Sequence, residues 1–283
     1  MVYQFMRYPG GLSKAITLSY DDGARADAIF CDIVNRYGLK CTFNLIGSRV
    51  ESGRGLPKEY IVNEILGKGH EVATHGYLHR GLDAVRSIEG IRDTLDCRLS
   101  LEREFGMIIR GMAFPDRTVN KNDYPEEYAR IRPFLQELDI AYARTTGGVA
   151  GSFKLPADFL NWAPTAKHKD PRLMEYIDNF FALEVDKCYI AHREPRLFLL
   201  WGHAFEFDHD RNWDYCEQIC EKLSGKEDVW YATNMEIYEY VTAYRSLVYS
   251  ADGNTIYNPT LKTLWFDRDS LLCKIEPGET LKF

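Results

Sequence analysis

Short apolar segments alternate along the chain with longer segments whose apolar residues recur at helical spacing. The first of them, KAITLSY, is rich in apolar and β-branched residues and predicts a strand. In the segment ADAIFCDIVNRYGL that follows, Ile29, Ile33, Val34 and Tyr37 have helical spacing, and Gly38 is a suitable end. The next two segments, CTFNLIG and KEYIVNEILGKG, repeat this order of strand and helix.

The same alternation continues to about residue 245. Further strands are predicted in HEVATHG, IIRGMAFP, IAYARTT, LFLLWGHAF and DVWYATN. Further helices are predicted in SIEGIRDTLDCRLSLEREFG, PEEYARIRPFLQELD, DPRLMEYIDNFFALEV, NWDYCEQICEKLSGK and MEIYEYVTAYRSLV. In the first of these helices, the expected apolar face consists of Ile88, Ile91, Leu95, Leu99 and Leu101. About seven strand–helix units predict an α/β fold, in which helices cover a parallel sheet that is either a barrel or open.

The end of the chain has a different pattern. The segment NTIYNPTLKTLWFDRDSLLCKIEPGETLKF has no helical spacing and predicts short strands separated by turns. We therefore expect residues 1–248 to form the α/β domain and residues 249–283 to form a small C-terminal β extension. Asp252–Gly253 is a dipeptide that favours a tight hairpin turn within it.

The composition narrows the classes of partner. The chain has 283 residues, of which 45% are hydrophobic and 27% charged, and its formal net charge is −7. An acidic chain without a cluster of lysine and arginine is not expected to bind nucleic acid or an anionic membrane. No apolar run is long enough for a membrane helix. The start MVYQFMRYPGG has no signal-peptide pattern, so the expected location is the cytoplasm. Seven scattered cysteines indicate reduced thiols.

Acidic and histidine side chains gather at predicted strand ends, where parallel α/β proteins place their functional groups. Asp21 and Asp22 end the first strand of the domain, His75 and His79 follow a later strand, and His203 follows another. A set of one carboxylate and two imidazoles, with open positions, is typical of zinc and of other divalent metals that hold a water. The alternative for the two aspartates is a helix N-cap followed by an acid in the first turn.

These residues lie in motifs that resemble those of the polysaccharide deacetylases, the NodB-homology domains of carbohydrate esterase family 4. TLSYDDG, HGYLH and LLWGH resemble the first, second and fifth motifs of that family, and FPDR and DFLNW stand where the third and fourth are expected. The resemblance covers about residues 14–241. It implies an irregular (β/α) barrel, with Asp21 as general base and His203 as general acid. It also implies that Asp22, His75 and His79 bind a divalent metal, with zinc expected and cobalt, nickel or manganese as alternatives.

The third motif departs from the family pattern. The family usually has an arginine just before the proline of this motif, and that arginine braces the base aspartate. Ala113 occupies the aligned position here. Arg110 and Arg144 are the two candidate replacements, and Arg144 is favoured because it lies at another strand end. Trp162 is expected to line the acetyl pocket, and Tyr20 and Pro115 are the other predicted substrate-binding residues.

The resemblance implies a metal-dependent hydrolase that removes acetyl groups from an N- or O-acetylated sugar or polysaccharide. Two alternatives stay open. One is a cytosolic amidohydrolase of the same superfamily that acts on a small ureide or cyclic amide. The other is a glycan-binding module without catalysis, although the presence of both Asp21 and His203 speaks against it. The sequence does not indicate an oligomeric state.

Overall fold

A curled sheet of parallel strands forms the centre of the computed structural model, which describes residues 2–116 and 119–283. Its seven strands, in chain order, are β2 (Lys14–Asp22), β3 (Cys41–Leu45), β4 (Glu71–Thr74), β5 (Gly111–Ala113), β6 (Tyr142–Arg144), β7 (Ala166–Lys167) and β8 (Arg196–Gly202). They are hydrogen-bonded in the spatial order β6-β5-β4-β3-β2-β8-β7. A further parallel strand, β9 (Val229–Tyr231), pairs with the first residues of β2. The predicted α/β fold is therefore confirmed.

Helices connect these strands, as the alternating pattern predicts. They are α1 (Ala26–Arg36), α2 (Gly47–Glu51), α3 (Lys58–Tyr60), α4 (Ser87–Phe105), α5 (Pro125–Glu137), α6 (Leu173–Phe181), α7 (Phe205–Asp210), α8 (Trp213–Leu223) and α9 (Asn234–Arg245). A π-helical turn at Ile61–Ile65 and a 3₁₀ turn at Leu66–Lys68 continue α3. Among the described residues, none of the helices combines the length and apolar character that crossing a bilayer requires.

Helix α4 buries only part of the face that its apolar residues predict. Ile88, Leu95 and Leu99 are 63%, 37% and 45% exposed. The buried face is partly polar and consists of Gly90, Asp93, Thr94, Cys97, Ser100 and Leu101. The expectation from the apolar spacing was therefore wrong for Ile88, Leu95 and Leu99 and correct for Leu101, because the helix turns Asp93 inward to bind a loop of the site described below.

The C-terminal segment forms antiparallel β structure, and it recruits the start of the chain. Strand β1 (Gln4–Arg7) pairs with β12 (Leu264–Arg268), which also pairs with β13 (Leu271–Ile275). A second small sheet contains β10 (Val248–Tyr249), β11 (Thr255–Tyr257) and β14 (Thr280–Lys282). The prediction placed residues 1–248 in one domain and did not foresee that β1 pairs with a strand of the C-terminal segment, because these residues lie far apart in sequence.

Two large apolar clusters support the sheet. The first fills the space between the sheet and helices α1, α6 and α8, and it contains Tyr20, Phe30 and Phe43. The second lies under α9 and the C-terminal strands, and it contains Tyr142, Trp162 and Phe266. All seven cysteines are free, as the sequence pattern predicts, and Cys216 and Cys220 are buried in the first cluster.

Candidate active site

The carboxyl ends of the parallel strands bring the predicted site residues to one edge of the sheet. Asp21 and Asp22 end β2, and Arg144 ends β6. His75 follows β4 directly, and His203 follows β8. The register places Asp21 opposite Asn44 of β3 and Tyr20 opposite Gly202 of β8, so His203 leaves its strand beside the two aspartates.

Asp22, His75 and His79 form a compact group with the potential to hold a metal ion. Their ligand atoms all lie within 4.8 Å of one another. Asp22 Oδ1 is 3.6 Å from His75 Nε2 and 3.5 Å from His79 Nε2, and the two Nε2 atoms are 3.2 Å apart. The loop between the two histidines is not helical, so the course of this loop, and not the i, i+4 spacing of a helix, brings them together.

The chemistry of these three side chains fits a divalent cation. Asp22 Oδ1 is buried and has no hydrogen-bond partner among the described residues. His75 Nδ1 is 3.0 Å from the carbonyl oxygen of Ala113, and a hydrogen on Nδ1 leaves Nε2 free as a ligand. Asp22 also has a φ of 89°, a conformation that costs free energy for a residue other than glycine and is often found at functional sites. An aspartate and two imidazoles are ligands that zinc commonly binds.

The buried polar face of α4 positions the loop that carries the two histidines. Asp93 accepts hydrogen bonds from the backbone N–H groups of Tyr77 at 3.1 Å and Leu78 at 2.8 Å. Gly76 has a φ of 74°, and a Cβ atom there would lie 2.7 Å from Asp93 Oδ2. Only glycine fits this close approach and this left-handed conformation without strain.

Asp21 is buried in an ion pair with Arg144. Arg144 Nη2 donates to Asp21 Oδ1 at 2.6 Å and also contacts Oδ2, and the side chains of Arg144 and Asp21 are 0% and 2% exposed. Asn44 Nδ2 donates to Asp21 Oδ1 at 2.8 Å. Burial raises the pKa of Asp21, but the charges of Arg144, His75 and His203 outweigh it and lower the pKa below its usual value. Asp21 is therefore ionised at neutral pH.

The other candidate for this pairing, Arg110, lies elsewhere. Its Nη2 atom is 2.7 Å from Asp139 Oδ1 near the surface, and it also donates to the carbonyl oxygen of that residue. The two arginines thus occupy separate environments, and Arg144 is the one in contact with Asp21.

His203 has an acidic partner that sequence reasoning did not identify. Its Nδ1 atom is 3.3 Å from Glu206 Oε2, and Glu206 lies three residues later in α7. Lys167 of β7 donates to Glu206 Oε1 at 2.7 Å. Burial raises the pKa of Glu206, but the hydrogen bonds from His203 and Lys167 lower it to about 2. The buried ring of His168 also lies close, with Nε2 3.4 Å from Glu206 Oε2.

The fourth-motif segment does not contribute this partner. Asp158 accepts hydrogen bonds from Tyr128 and Arg132 and caps the backbone of Leu160. Asn161 accepts a hydrogen bond from the backbone N–H of Lys121. A glutamate three residues after a candidate acid histidine is a signal that the sequence offered, because a single turn can bring the two together; here the N–H of Glu206 donates to the carbonyl oxygen of His203 at 3.0 Å, at the start of α7.

Two of the three predicted substrate-binding residues, Trp162 and Tyr20, are buried in the apolar clusters and not at the strand-end edge. Trp162 is 1% exposed and packs against Tyr142 and Phe159 in the second cluster. Tyr20 is 1% exposed and stacks on Phe30 on the helix-covered side of the sheet. Pro115 is buried beside the loop that carries the two histidines, where a Cβ atom on Gly76 would lie 3.3 Å from its Cγ atom. Alternation along a strand explains Tyr20, because neighbours of the inward Asp21 point to the opposite face. The positions of Trp162 and Tyr20 give their predicted substrate-binding roles no support, and the role of Pro115 stays a prediction.

A different tryptophan lies close to the catalytic candidates. The Trp201 ring is partly exposed and packs 4.8 Å from the Arg144 guanidinium, 5.2 Å from Lys167 Nζ and 5.8 Å from the ring of His203. It lies in β8, two residues before His203. Arg117, the last residue of the FPDR segment, lies outside the described residues.

The chain matches one family model, and the match covers the first part of this site. Residues 8–133 match the model described as "Polysaccharide deacetylase", a segment that contains Asp21, Asp22, His75 and His79. Arg144 and His203 lie beyond it. A search of curated protein sequences finds no match.

Solved structures with low sequence identity share the fold. A probable polysaccharide deacetylase from Pseudomonas aeruginosa PAO1 has a TM-score of 0.59 and 12% identity, and the alignment covers 82% of this chain and 92% of that one. Puue allantoinase has a TM-score of 0.59 and 11% identity, with 82% and 91% covered. The Xyl-CE4 domain of a xylanase from the hindgut metagenome of Trinervitermes trinervoides has a TM-score of 0.50 and 16% identity, with 82% and 92% covered.

A curled parallel sheet with an Asp–His–His group at the carboxyl ends of its strands defines a class of α/β proteins built around a candidate metal centre. Within that class, residues 8–133 of the chain match the polysaccharide deacetylase family model, and the proteins of that family are hydrolases acting on carbon–nitrogen or ester bonds of acetylated sugars. The resemblance and the enzyme class predicted from the motifs are thereby confirmed.

Proposed function

We propose that the protein is a metal-dependent hydrolase that removes an acetyl group from an N- or O-acetylated sugar. Asp22, His75 and His79 would hold the divalent cation. When bound, that cation supplies Lewis acidity, which polarises the acetyl carbonyl and makes water a better nucleophile at neutral pH. The observation that carries the proposal is the ionised, doubly contacted Asp21 beside these three side chains.

In this proposal the chain's own residues move the protons. Asp21 takes a proton from the attacking water, and the contacts of Arg144 and Asn44 hold its carboxylate ionised and in one orientation. His203 gives a proton to the departing amine or alcohol from Nε2, because Nδ1 faces Glu206. Base and acid thus come from adjacent strands, β2 and the end of β8.

Acetate release is the experiment that tests this function. Wild-type protein would be assayed on a panel of N- and O-acetylated sugars, as prepared, after chelation, and after zinc is restored. We expect release that falls with the chelator and returns with zinc. Turnover of cyclic amides without acetate release would instead favour the ureide hydrolase. Sugar binding without turnover of either substrate class would favour the glycan-binding module.

We predict that Glu206 positions His203. Glu206→Gln should lower kcat for an acetylated amino sugar about 10-fold, with KM and zinc content unchanged, because His203 loses its charged partner. The loss should be smaller for 4-nitrophenyl acetate, whose leaving group needs no protonation. Steady-state kinetics on both substrates measure the difference.

The control for this prediction is Glu175→Gln. Glu175 is an exposed glutamate of α6 that pairs with Arg172. A double-variant cycle gives the sharper result: in a His203→Ala background, Glu206→Gln should have almost no further effect on kcat. An equal loss in the presence and absence of His203 would show that Glu206 acts on the fold and not on the acid.

A further inference from the structure

A cavity of about 360 Å³ lies directly beside the candidate metal centre. It is comparable with the smaller ligand pockets of proteins. Its wall includes three arginines, one serine, one leucine and one of the metal-site histidines: Arg25, Arg49, Arg54, Ser48, Leu78 and His79. Among the described residues, no aspartate or glutamate lines it. We call it the arginine cavity. The cavity is thus lined by three cationic side chains, although the net charge of the chain is −7.

Two of these arginines have no acidic partner among the residues that the structure describes. In the part of the chain that the structure describes, no carboxylate lies within ion-pair distance of Arg25 or Arg54, and both residues are exposed. Arg54 Nε donates to Ser52 Oγ at 2.9 Å, which leaves its two terminal nitrogens available. A guanidinium without a partner is well suited to bind a carboxylate or sulfate with two hydrogen bonds.

The third arginine links the cavity to the candidate metal centre. Arg49 Nη1 lies 3.6 Å from Asp22 Oδ2 and 3.4 Å from the carbonyl oxygen of Asp22. His79, whose Nε2 atom belongs to the metal group, is part of the cavity wall. A sugar whose acetyl group reaches the metal centre therefore has its neighbouring atoms at the mouth of this cavity.

Close backbone packing builds the arginine wall. The N–H of Leu56 donates to the carbonyl oxygen of Gly23 at 3.1 Å, and a Cβ atom on Gly55 would lie 2.6 Å from that same oxygen. The loop that carries Arg54 is thus held against the turn that follows Asp22 and leads to Arg25. This close approach of the two backbone segments requires glycine at residue 55, because a side chain there would push them apart.

We propose that the arginine cavity is an anion-binding subsite, and that the preferred substrate is an acetylated sugar that carries a carboxylate or a sulfate close to the acetyl group. This inference rests on the proposed function and adds a substrate class to it. Arg25 and Arg54 bind the anion, while Leu78, which is 49% exposed, offers an apolar surface to the sugar ring.

Matched pairs of substrates test the charge requirement. The first pair is a tetrasaccharide of alternating glucuronic acid and N-acetylglucosamine, and the methyl ester of the same compound. The second pair is N-acetylglucosamine 6-sulfate and N-acetylglucosamine. We expect kcat/KM for acetate release to be at least about 10-fold higher for the charged member of one pair, and the preference should fall with added salt. The pair that shows the preference identifies the anion.

Variants of the arginines test the assignment of the cavity. Arg25→Gln combined with Arg54→Gln should reduce the preference for the charged member about 10-fold. Arg92→Gln is the matched control, since Arg92 is an 82% exposed arginine of α4 that pairs with Asp96. The preference should survive in this control.

The outcomes separate the subsite from the proposed function. Acetate release from both members of each pair with equal kcat/KM would support the deacetylase and overturn the subsite, as would a preference that the double variant leaves unchanged. If wild-type protein releases no acetate at all, the proposed function fails. The anion-binding subsite is then tested by ligand binding alone. Its dissociation constants for the tetrasaccharide and the methyl ester would then be compared by calorimetry, with tighter binding of the acid expected and equal binding contradicting the subsite.

Discussion

Replacement of Asp21 by asparagine is expected to lower kcat about 10²–10⁴-fold while the protein keeps its metal. The reason is that the amide cannot take a proton from water, whereas Asp22, His75 and His79 are untouched. Loss of a general base typically costs a factor of this size, which corresponds to about 3–5 kcal/mol in activation free energy. Acetate release and zinc content, measured on the same sample, check both parts of the prediction.

Two outcomes would contradict the role of Asp21. Unchanged acetate release in Asp21→Asn would show that another group is the base. Loss of zinc together with activity would show that Asp21 belongs to the metal group. Because Arg144 is left with an unpaired buried charge in this variant, its unfolding temperature must be measured as well. Assays below that temperature then separate lost chemistry from lost structure.

The pH dependence of the wild type follows from the same ion pair. Burial alone would raise the pKa of Asp21, but Arg144 and the neighbouring histidines lower it. A carboxylate with a lowered pKa in the folded state contributes stability above its ordinary pKa, and that contribution is lost as the pH falls through the lowered value. The base is therefore already ionised well below neutral pH, and its titration is not expected to limit activity near pH 7.

The strand ends were predictable because their chemistry is local in sequence. The pairs Asp21–Asp22 and His75–His79 each stand directly after a short apolar run, so their common edge follows from the alternation of strands and helices. The choice of Arg144 over Arg110 used the same rule, and the structure places only Arg144 in contact with Asp21.

Other features depend on tertiary contacts that the sequence pattern does not carry. The inward face of α4 is set by the hydrogen bonds of Asp93 to the histidine loop, which override the apolar spacing of Ile88, Leu95 and Leu99. The arginine cavity depends on the approach of Gly55 to Gly23, two residues more than thirty positions apart. Neither contact produces a periodic pattern of apolar residues in the sequence from which it could be predicted.

Replacement of Asp22 by asparagine is expected to abolish both activity and stable metal binding. The buried Oδ1 atom of Asp22 faces two imidazole nitrogens at 3.5 and 3.6 Å, and a neutral amide removes the only negative charge among the three candidate ligands. We expect acetate release to fall at least as far as in Asp21→Asn, and zinc content after dialysis to fall well below that of the wild type.

Thermal unfolding distinguishes a lost ligand from a damaged fold. At a zinc concentration 100 times the dissociation constant, binding stabilises a folded protein by about 2.7 kcal/mol, which raises the Tm of a chain of this size by about 5 °C. Wild type and Asp21→Asn should show this rise, and Asp22→Asn should not. Asp214→Asn, at an exposed position of α8, is the control for loss of a carboxylate. A zinc-dependent rise in Asp22→Asn equal to that of the wild type would exclude Asp22 as a ligand, because removal of a direct ligand cannot leave the binding free energy unchanged.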